Sequence, residues 1–269
     1  MIRTTLSARG LCAGYGGQKI LHNIDLDIVS GGISAIVGAN ACGKSTLLKC
    51  LSRQLPALAG EVCLEGQPIG QLGAKAFARR LGFLPQHPIA PEGITVLDLV
   101  SRGRHPHHGF FARWSAADEA AVAQALEVTQ TASLAERDIA ALSGGQRQRV
   151  WIAMALAQET DVLLLDEPTS FLDVCHQIEV LELLVDLNRK RGTTIIMVLH
   201  ELNLAARYAD VMIGLRGGRI HTNGPPSEVL TVENVRAIFG LESLIIPDPV
   251  SGRPMMVPRS AIPTASREV

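Results

Sequence analysis

The sequence predicts an α/β fold with an antiparallel β portion near its start and a block of helices inserted in its middle. Three observations carry that reading. The apolar run Ile33 to Val37 leads into Gly38-Ala39-Asn40-Ala41-Cys42-Gly43-Lys44-Ser45-Thr46, and an apolar helical pattern (Leu47, Leu48, Leu51) follows. A second apolar run, Val162 to Leu165, stops at two carboxylates, Asp166 and Glu167. Between them, from about Pro88 to Gln158, strand patterning gives way to alanine-rich helical patterning, and strand–helix alternation then resumes.

The elements come in order. Leu6 to Ala13, Ile24 to Ile28 and Ile33 to Val37 read as short strands, and Gly60 to Gly66 alternates between glycines as a fourth. Arg80 to Leu84 is a further strand, ending at Pro85-Gln86. Thr95 to Val100 predicts a short capped helix. Ser115 and Asp118 approximate a capping box and open a helix running to about Val128. A third helix starts near Gln146 and puts Val150, Met154 and Ala157 on one face. Beyond the strand at 162–165, Ile178 to Arg191 is an amphipathic helix and Thr193 to Leu199 a buried parallel strand. Val211 to Leu215, Gly217-Gly218 and Arg219-Ile220 predict a hairpin. From Pro247 the chain is rich in Pro and Arg and predicts little order.

With 269 residues, 47% of them hydrophobic, the chain can build one large α/β domain or a main domain with a smaller one. A net charge of −1 and no basic tail argue against non-specific nucleic-acid binding. No apolar stretch approaches the ~20 residues of a membrane span, and Met1 to Thr5 lacks a signal-peptide core. The expectation is a cytosolic protein. Cys12, Cys42, Cys50, Cys63 and Cys175 are scattered, with no C-x-x-C pair, which suits reduced thiols better than disulfides or zinc.

Residues 38–46 fit G-x-x-x-x-G-K-[ST], the loop that cradles nucleoside phosphates. Gly43 lets the backbone approach the phosphates closely, and successive N–H groups with the helix start present partial positive charge. Lys44 reaches the β- and γ-phosphates, and the Ser45 hydroxyl binds Mg²⁺. In such a fold, the strand ending in Asp166 lies beside the strand that feeds the loop, and its Asp supports the metal. Glu167, next in the chain, is placed to polarise an attacking water.

Leu142-Ser143-Gly144-Gly145-Gln146 supplies a hydroxyl, bare backbone N–H groups and a helix dipole, which together form a second anion site. One nucleotide needs both loops if two chains sandwich it. These five residues resemble the LSGGQ signature of ABC ATPases, and residues 5 to 245 resemble one ATP-binding subunit of an ABC transporter. The resemblance implies a P-loop NTPase core of ABC-ATPase type, with an antiparallel β subdomain and an inserted helical subdomain. It puts the nucleotide-binding domain at 1–245, the helical subdomain at about 88–158 and a C-terminal extension at 246–269.

The family's other motifs fall in order. Tyr15 resembles the aromatic residue that stacks on adenine. Gln86 resembles the glutamine that contacts metal or water where the helical subdomain joins. Ser170-Phe171-Leu172-Asp173 resembles the loop that crosses the dimer interface, and His200 resembles the switch histidine at the γ-phosphate. The resemblance thus implies catalytic roles for Lys44, Gln86, Glu167 and His200. It implies metal contacts from Ser45, Gln86 and Asp166, and nucleotide contacts from Tyr15, residues 38–46, Ser143 to Gln146 and Asp173. Three positions depart from the family pattern. Ala41 stands where Gly is usual, Ala39 where Pro is common, and Glu201 follows His200 where Asp is common.

The same resemblance implies an ATP- and Mg²⁺-dependent hydrolase that dimerises head to tail with a second copy of itself. It would dock on an integral-membrane permease at the cytoplasmic face of the cell membrane. A substrate-binding protein would be an indirect partner, and nucleic acid would not be one. Thr95 to His108, Leu199 to Asp210 and Pro247 to Val250 resemble importer ATPases for ferric siderophores, haem and cobalamin, with the ferric-siderophore branch favoured. His105, His107 and His108 invite a metal reading, but their spacing suits no standard site and Pro106 interrupts it. A non-transport ABC ATPase would carry a coiled coil or a second nucleotide domain. A small-molecule kinase would lack residues 142–146.

Overall fold

The computed structural model describes residues 4–109 and 113–261. In chain order the elements begin with β1 (Thr4–Tyr15), β2 (Gln18–Val29), β3 (Ile33–Gly38), α1 (Lys44–Leu51), β4 (Ala59–Leu64) and β5 (Gln67–Pro68). Next come α2 (Ala74–Ala78), β6 (Leu81–Leu84), α3 (Val96–Ser101), α4 (Ala116–Val128), α5 (Gly144–Ala157) and β7 (Val162–Asp166). After these stand α6 (Val174–Arg191), β8 (Thr194–Val198), α7 (Leu202–Tyr208), β9 (Val211–Arg216) and β10 (Arg219–Gly224). The series closes with α8 (Pro226–Val229), α9 (Val232–Phe239), β11 (Leu241–Pro247) and β12 (Pro254–Ala261). The chain divides into two compact units, residues 1–70 with 196–269 and residues 71–195, so the division runs through β8.

The first unit holds a four-stranded antiparallel sheet in the order β2-β1-β4-β5. Its buried face comes from alternation: Leu6, Ala8, Leu11 and Ala13 of β1 and Ile24, Leu26 and Ile28 of β2 are all buried. β2 starts six residues before the predicted Ile24. Gly16 and Gly17, both at positive φ, close a two-residue hairpin that pairs Tyr15 with Gln18. β3 is buried along its whole length and pairs in parallel with β9, from Ser34–Val211 to Gly38–Leu215. β9 and β10 form the predicted hairpin through Gly217-Gly218.

Between Pro247 and Ala261 the chain is more ordered than its composition predicts. β11 and β12 pair from Leu241–Ala261 to Pro247–Pro254. Asp248 organises the turn, accepting from Val250 N (3.0 Å) and the Ser251 hydroxyl (2.6 Å). The hairpin packs on α7. The Asn203 amide pairs with the backbone of Met256 in both directions, at 2.8 and 3.1 Å. Arg253 donates to the carbonyls of Ala206 and Ala209 at the end of the helix.

In the second unit β6 pairs in parallel with β7, from Leu81–Val162 to Leu84–Leu165. Apart from α2, whose N-cap Gly73 offers no side chain, its helices begin where side chains satisfy the open N–H groups. Thr95 caps α3, and Ser115 with Asp118 and Ser143 with Gln146 form full capping boxes at α4 and α5. α5 does not present one apolar face as the sequence predicts. Val150 to Ala153 and Ala155 to Ala157 are all buried and Met154 is half-buried, so the second half of the helix is enclosed on every side while Gly144 and Arg147 in the first half are exposed. A buried ionic cluster joins this region. Arg104 donates to Asp118 (2.9 Å), Glu159 (2.7 Å) and the Ala157 carbonyl (2.7 Å). α6 starts four residues before the predicted Ile178, because Asp173 caps it, and Gly192 in the left-handed region stops it.

Candidate nucleotide site

In the first unit the phosphate-loop residues join β3 to α1. β3 delivers the chain to Gly38, where a Cβ would lie 2.6 Å from both the Cys42 sulfur and the Leu215 carbonyl. Gly43 has φ +103°, and a Cβ there would meet Leu21 at 2.8 Å. Both positions therefore need glycine, one for space and one also for conformation. Ala41 has φ +61° and is exposed, so an L-residue here occupies the left-handed region that the family pattern reserves for Gly. The loop is braced from behind: Gly218 N donates to the Cys42 carbonyl (3.1 Å) and His22 N to the Gly218 carbonyl (2.9 Å). Burial pushes the Cys42 thiol up.

α1 starts without a side-chain cap, Gly43 being the N-cap, so its first-turn N–H groups face the loop rather than a capping oxygen. Lys44 is buried and its ammonium donates to the carbonyls of Gly38 (2.9 Å) and Ala39 (3.0 Å). Its position over the loop is therefore set by the loop's own backbone. Asn40 lies in the turn, Ser45 is half-buried and Thr46 buried in the first turn of α1. Tyr15, half exposed, has the Lys49 ammonium 6.0 Å from its ring centre. Leu199 N donates to the Ile36 carbonyl (3.1 Å), so exposed His200 emerges beside the end of β3.

The second unit gathers the other predicted residues. Asp166 ends β7 with its carboxylate buried. Glu167 comes next at φ +53°, and two donors hold its Oε2: the Gln86 amide and the Ser170 hydroxyl, the latter at 2.8 Å. Gln86 and Glu167, predicted on separate elements, thus meet directly. Ser143 Oγ accepts from Gln146 N (3.3 Å) and the Gln146 amide oxygen accepts from Ser143 N (3.2 Å). Ser143 and Gly144 are exposed, whereas Gly145 is buried. Asp173 Oδ1 accepts from His176 N (2.9 Å) and pairs with His176 Nδ1 (2.8 Å). The backbone and then the ring of His176 hold the Asp173 carboxyl below its usual range. Phe171 is 86% exposed at φ +63°, with its ring 5.7 Å from that of His87.

Sequence reasoning misses Ser170 as a partner of Glu167, and misses His176. For His176 a signal existed: an Asp cap with His three residues on puts both side chains at one helix start. In the 105–108 run, His107 and His108 have separate partners. His107 bonds the Gln158 carbonyl (2.9 Å), and His108 lies 3.3 Å from Asp118 and stacks on Trp114.

The donor set suits the groups the fold implies. The close approaches at Gly38 and Gly43 make a cradle that a Cβ would fill, with a buried ammonium over it. The Ser45 hydroxyl and the Asp166 carboxylate are hard oxygen donors, as Mg²⁺ takes alongside substrate phosphates. Among the described residues no group of three or more His, Cys, Asp or Glu is placed to hold a metal by itself.

Residues 21–170 match the family model described as ABC transporter. The achromobactin transport ATP-binding protein of Dickeya dadantii is 52% identical over 255 residues, 95% of this chain and 95% of that protein. The ferric enterobactin transport ATP-binding protein of Escherichia coli is 49% identical over 263 residues, 97% of each chain. Among solved structures, a metal-chelate type ABC transporter in an inward-facing conformation matches with TM-score 0.83 at 32% identity, over 96% of this chain and 98% of that one. A dimeric bacterial ABC transporter cassette matches with TM-score 0.73 at 26% identity, over 82% of this chain and 98% of that one.

Proposed function

The chain belongs to the ABC transporter family as an ATP-binding subunit, and from that premise we propose that the work it powers is the import of ferric siderophores. The cargo is inferred from near full-length likeness to two proteins named for siderophore transport. One structural observation supports the hydrolytic role above the others. Glu167, one residue past the buried Asp166, is a carboxylate fixed in place by Gln86 and Ser170.

The roles of the chain's own residues derive from that arrangement. The backbone of 38–46 and the start of α1 bind the phosphates, and Lys44 supplies a fixed positive charge. Tyr15 stacks on the base. Glu167 orients a water and accepts its proton, with Gln86 and Ser170 keeping the accepting oxygen aimed. His200 donates to the terminal phosphate. Each such donor is worth ~3–4 kcal/mol of transition-state stabilisation. Ser45, Asp166 and Gln86 would hold Mg²⁺, which when bound neutralises and orients the phosphate oxygens.

Residues Ser143 to Gln146 and Asp173 complete the site of a second copy, so the head-to-tail dimer closes when the terminal phosphate is present and opens once it is lost. No helix among the described residues is long and apolar enough to cross a membrane. The pathway therefore belongs to a separate permease, on which this chain works at the cytoplasmic face, with a substrate-binding protein delivering the cargo. In this reading residues 1–245 form the nucleotide-binding domain, 88–158 its helical insertion and 246–269 an extension.

Steady-state ATPase assays with gel filtration in ATP test the proposal. Glu167→Gln keeps a carbonyl oxygen that can still accept from Gln86 and Ser170 but removes the base. Turnover should fall ~10²- to 10⁴-fold while ATP traps a dimer. Turnover near wild type, or a persistent monomer, would defeat the assignment. The cargo is tested separately, by siderophore-dependent iron uptake in cells carrying or lacking the chain.

A further inference from the structure

We infer that His176 is a positioning residue for the ATPase reaction: its ring is the seat on which the turn at Ser143 to Gln146 is held. The inference rests on the nucleotide reading above and extends it to a residue outside every motif. A Cβ placed on Gly145 would lie 2.7 Å from His176 Cδ2, 3.0 Å from Cγ and 3.1 Å from Nε2. The imidazole thus lies directly against the Gly145 backbone, and a Cβ at that position would displace the ring. The ring is itself fixed, because Nδ1 pairs with Asp173 Oδ1 at 2.8 Å while the same oxygen accepts from His176 N at 2.9 Å.

The consequence is a short mechanical chain. Asp173 caps α6 and orients His176, His176 supports buried Gly145, and Gly145 sets where exposed Ser143 and Gly144 stand. The capping box fixes the turn relative to its own helix, but not relative to α6. α5 and α6 have an independent tie, since Arg149 Nη1 meets Glu179 Oε2 at 3.2 Å. Removing the ring therefore shifts the turn without parting the helices. A donor moved by a fraction of an ångström loses rate steeply, whereas the phosphate loop of the same chain is untouched.

His176→Ala and His176→Phe separate the possibilities, the second keeping a ring over Gly145 without the Asp173 bond. The expected result for His176→Ala is a kcat lower by ~10- to 100-fold with the KM for ATP unchanged. In a Glu167→Gln background the same change should weaken ATP-dependent dimerisation, and His176→Phe, which keeps the ring but not the Asp173 bond that orients it, should recover part of the lost activity. Wild-type kcat in His176→Ala, a loss that His176→Phe does not recover, or loss of ATP binding together with kcat would each overturn the inference. An inactive wild-type chain would instead count against the proposed function, so the two failures are distinguishable.

Discussion

Ala41→Gly should make this protein more stable, although it removes a methyl group and adds nothing. Ala41 has φ +61°, and its side chain is exposed, so no packing is lost with the methyl. An L-residue in the left-handed region costs ~1–2 kcal/mol, a cost glycine does not carry. Against that, glycine gives the unfolded chain more freedom, worth ~0.4–1 kcal/mol. The difference spans zero to about 1.6 kcal/mol and favours the glycine variant by about 0.8 kcal/mol at the midpoints. In a unit of this size ~1 kcal/mol moves the midpoint by ~2–4 °C, so the expected rise in Tm is about 1–4 °C. Thermal unfolding without nucleotide, followed by circular dichroism, reads it directly. Ala41→Val is the companion measurement and should lower the midpoint, because a β-branched side chain tolerates positive φ less well. An unchanged or lower Tm for Ala41→Gly would show that the loop stores no such strain.

Three further predictions concern the second unit. Ser143→Asp keeps a strong N-cap for α5 but places a carboxylate among anion-binding groups. The unfolding midpoint should hold while the ATP-dependent dimer of the Glu167→Gln chain disappears; a surviving dimer would remove Ser143 from the nucleotide site. Arg104→Ala should cost ~3–5 kcal/mol in urea unfolding, since it removes the cation from the buried Asp118 carboxylate and leaves it only Ser115 and His108. Asp118 also gives a pH signature. The Ser115 hydroxyl and then the Arg104 guanidinium hold its carboxyl well below the usual range. A depressed folded value stabilises above the unfolded value of about 4 and is lost as pH falls below it. Asp118→Asn should therefore flatten the acid limb below about pH 4, and an unaltered limb would contradict this.

The parts of the fold that were legible are those where one residue type has one physical reason to be present. Gly38 and Gly43 stand where backbone geometry disfavours other residues, and Thr95 and the Ser115–Asp118 pair cap the helices their positions announced. The β11–β12 hairpin was not legible because Pro247, Pro254 and Pro258 read as breakers. In a two-stranded ribbon both strands are edges, and proline is tolerated there. α5 misled in another way: small residues pack closely around its second half, so no periodic stripe marks that enclosed stretch. Within the site the motif positions were readable, but the bonds from Gln86 and Ser170 to Glu167 were not. Chain spacing does not say that one carboxylate oxygen will be shared by a distant amide and a neighbouring hydroxyl.

The brace behind the phosphate loop bears on how the protein is made. Cys42 and its neighbours are synthesised early, but Gly218, whose N–H closes on the Cys42 carbonyl, leaves the ribosome only with the last fifth of the chain. At ~5–20 residues per second, the loop waits on the order of 10–30 s for its support. During that interval a nascent chain presents the pattern without the cradle, and the Cys42 thiol, buried in the finished fold, stands open to solvent chemistry. Until β9 and β10 have been made, the loop lacks the two backbone bonds that brace it in the finished fold.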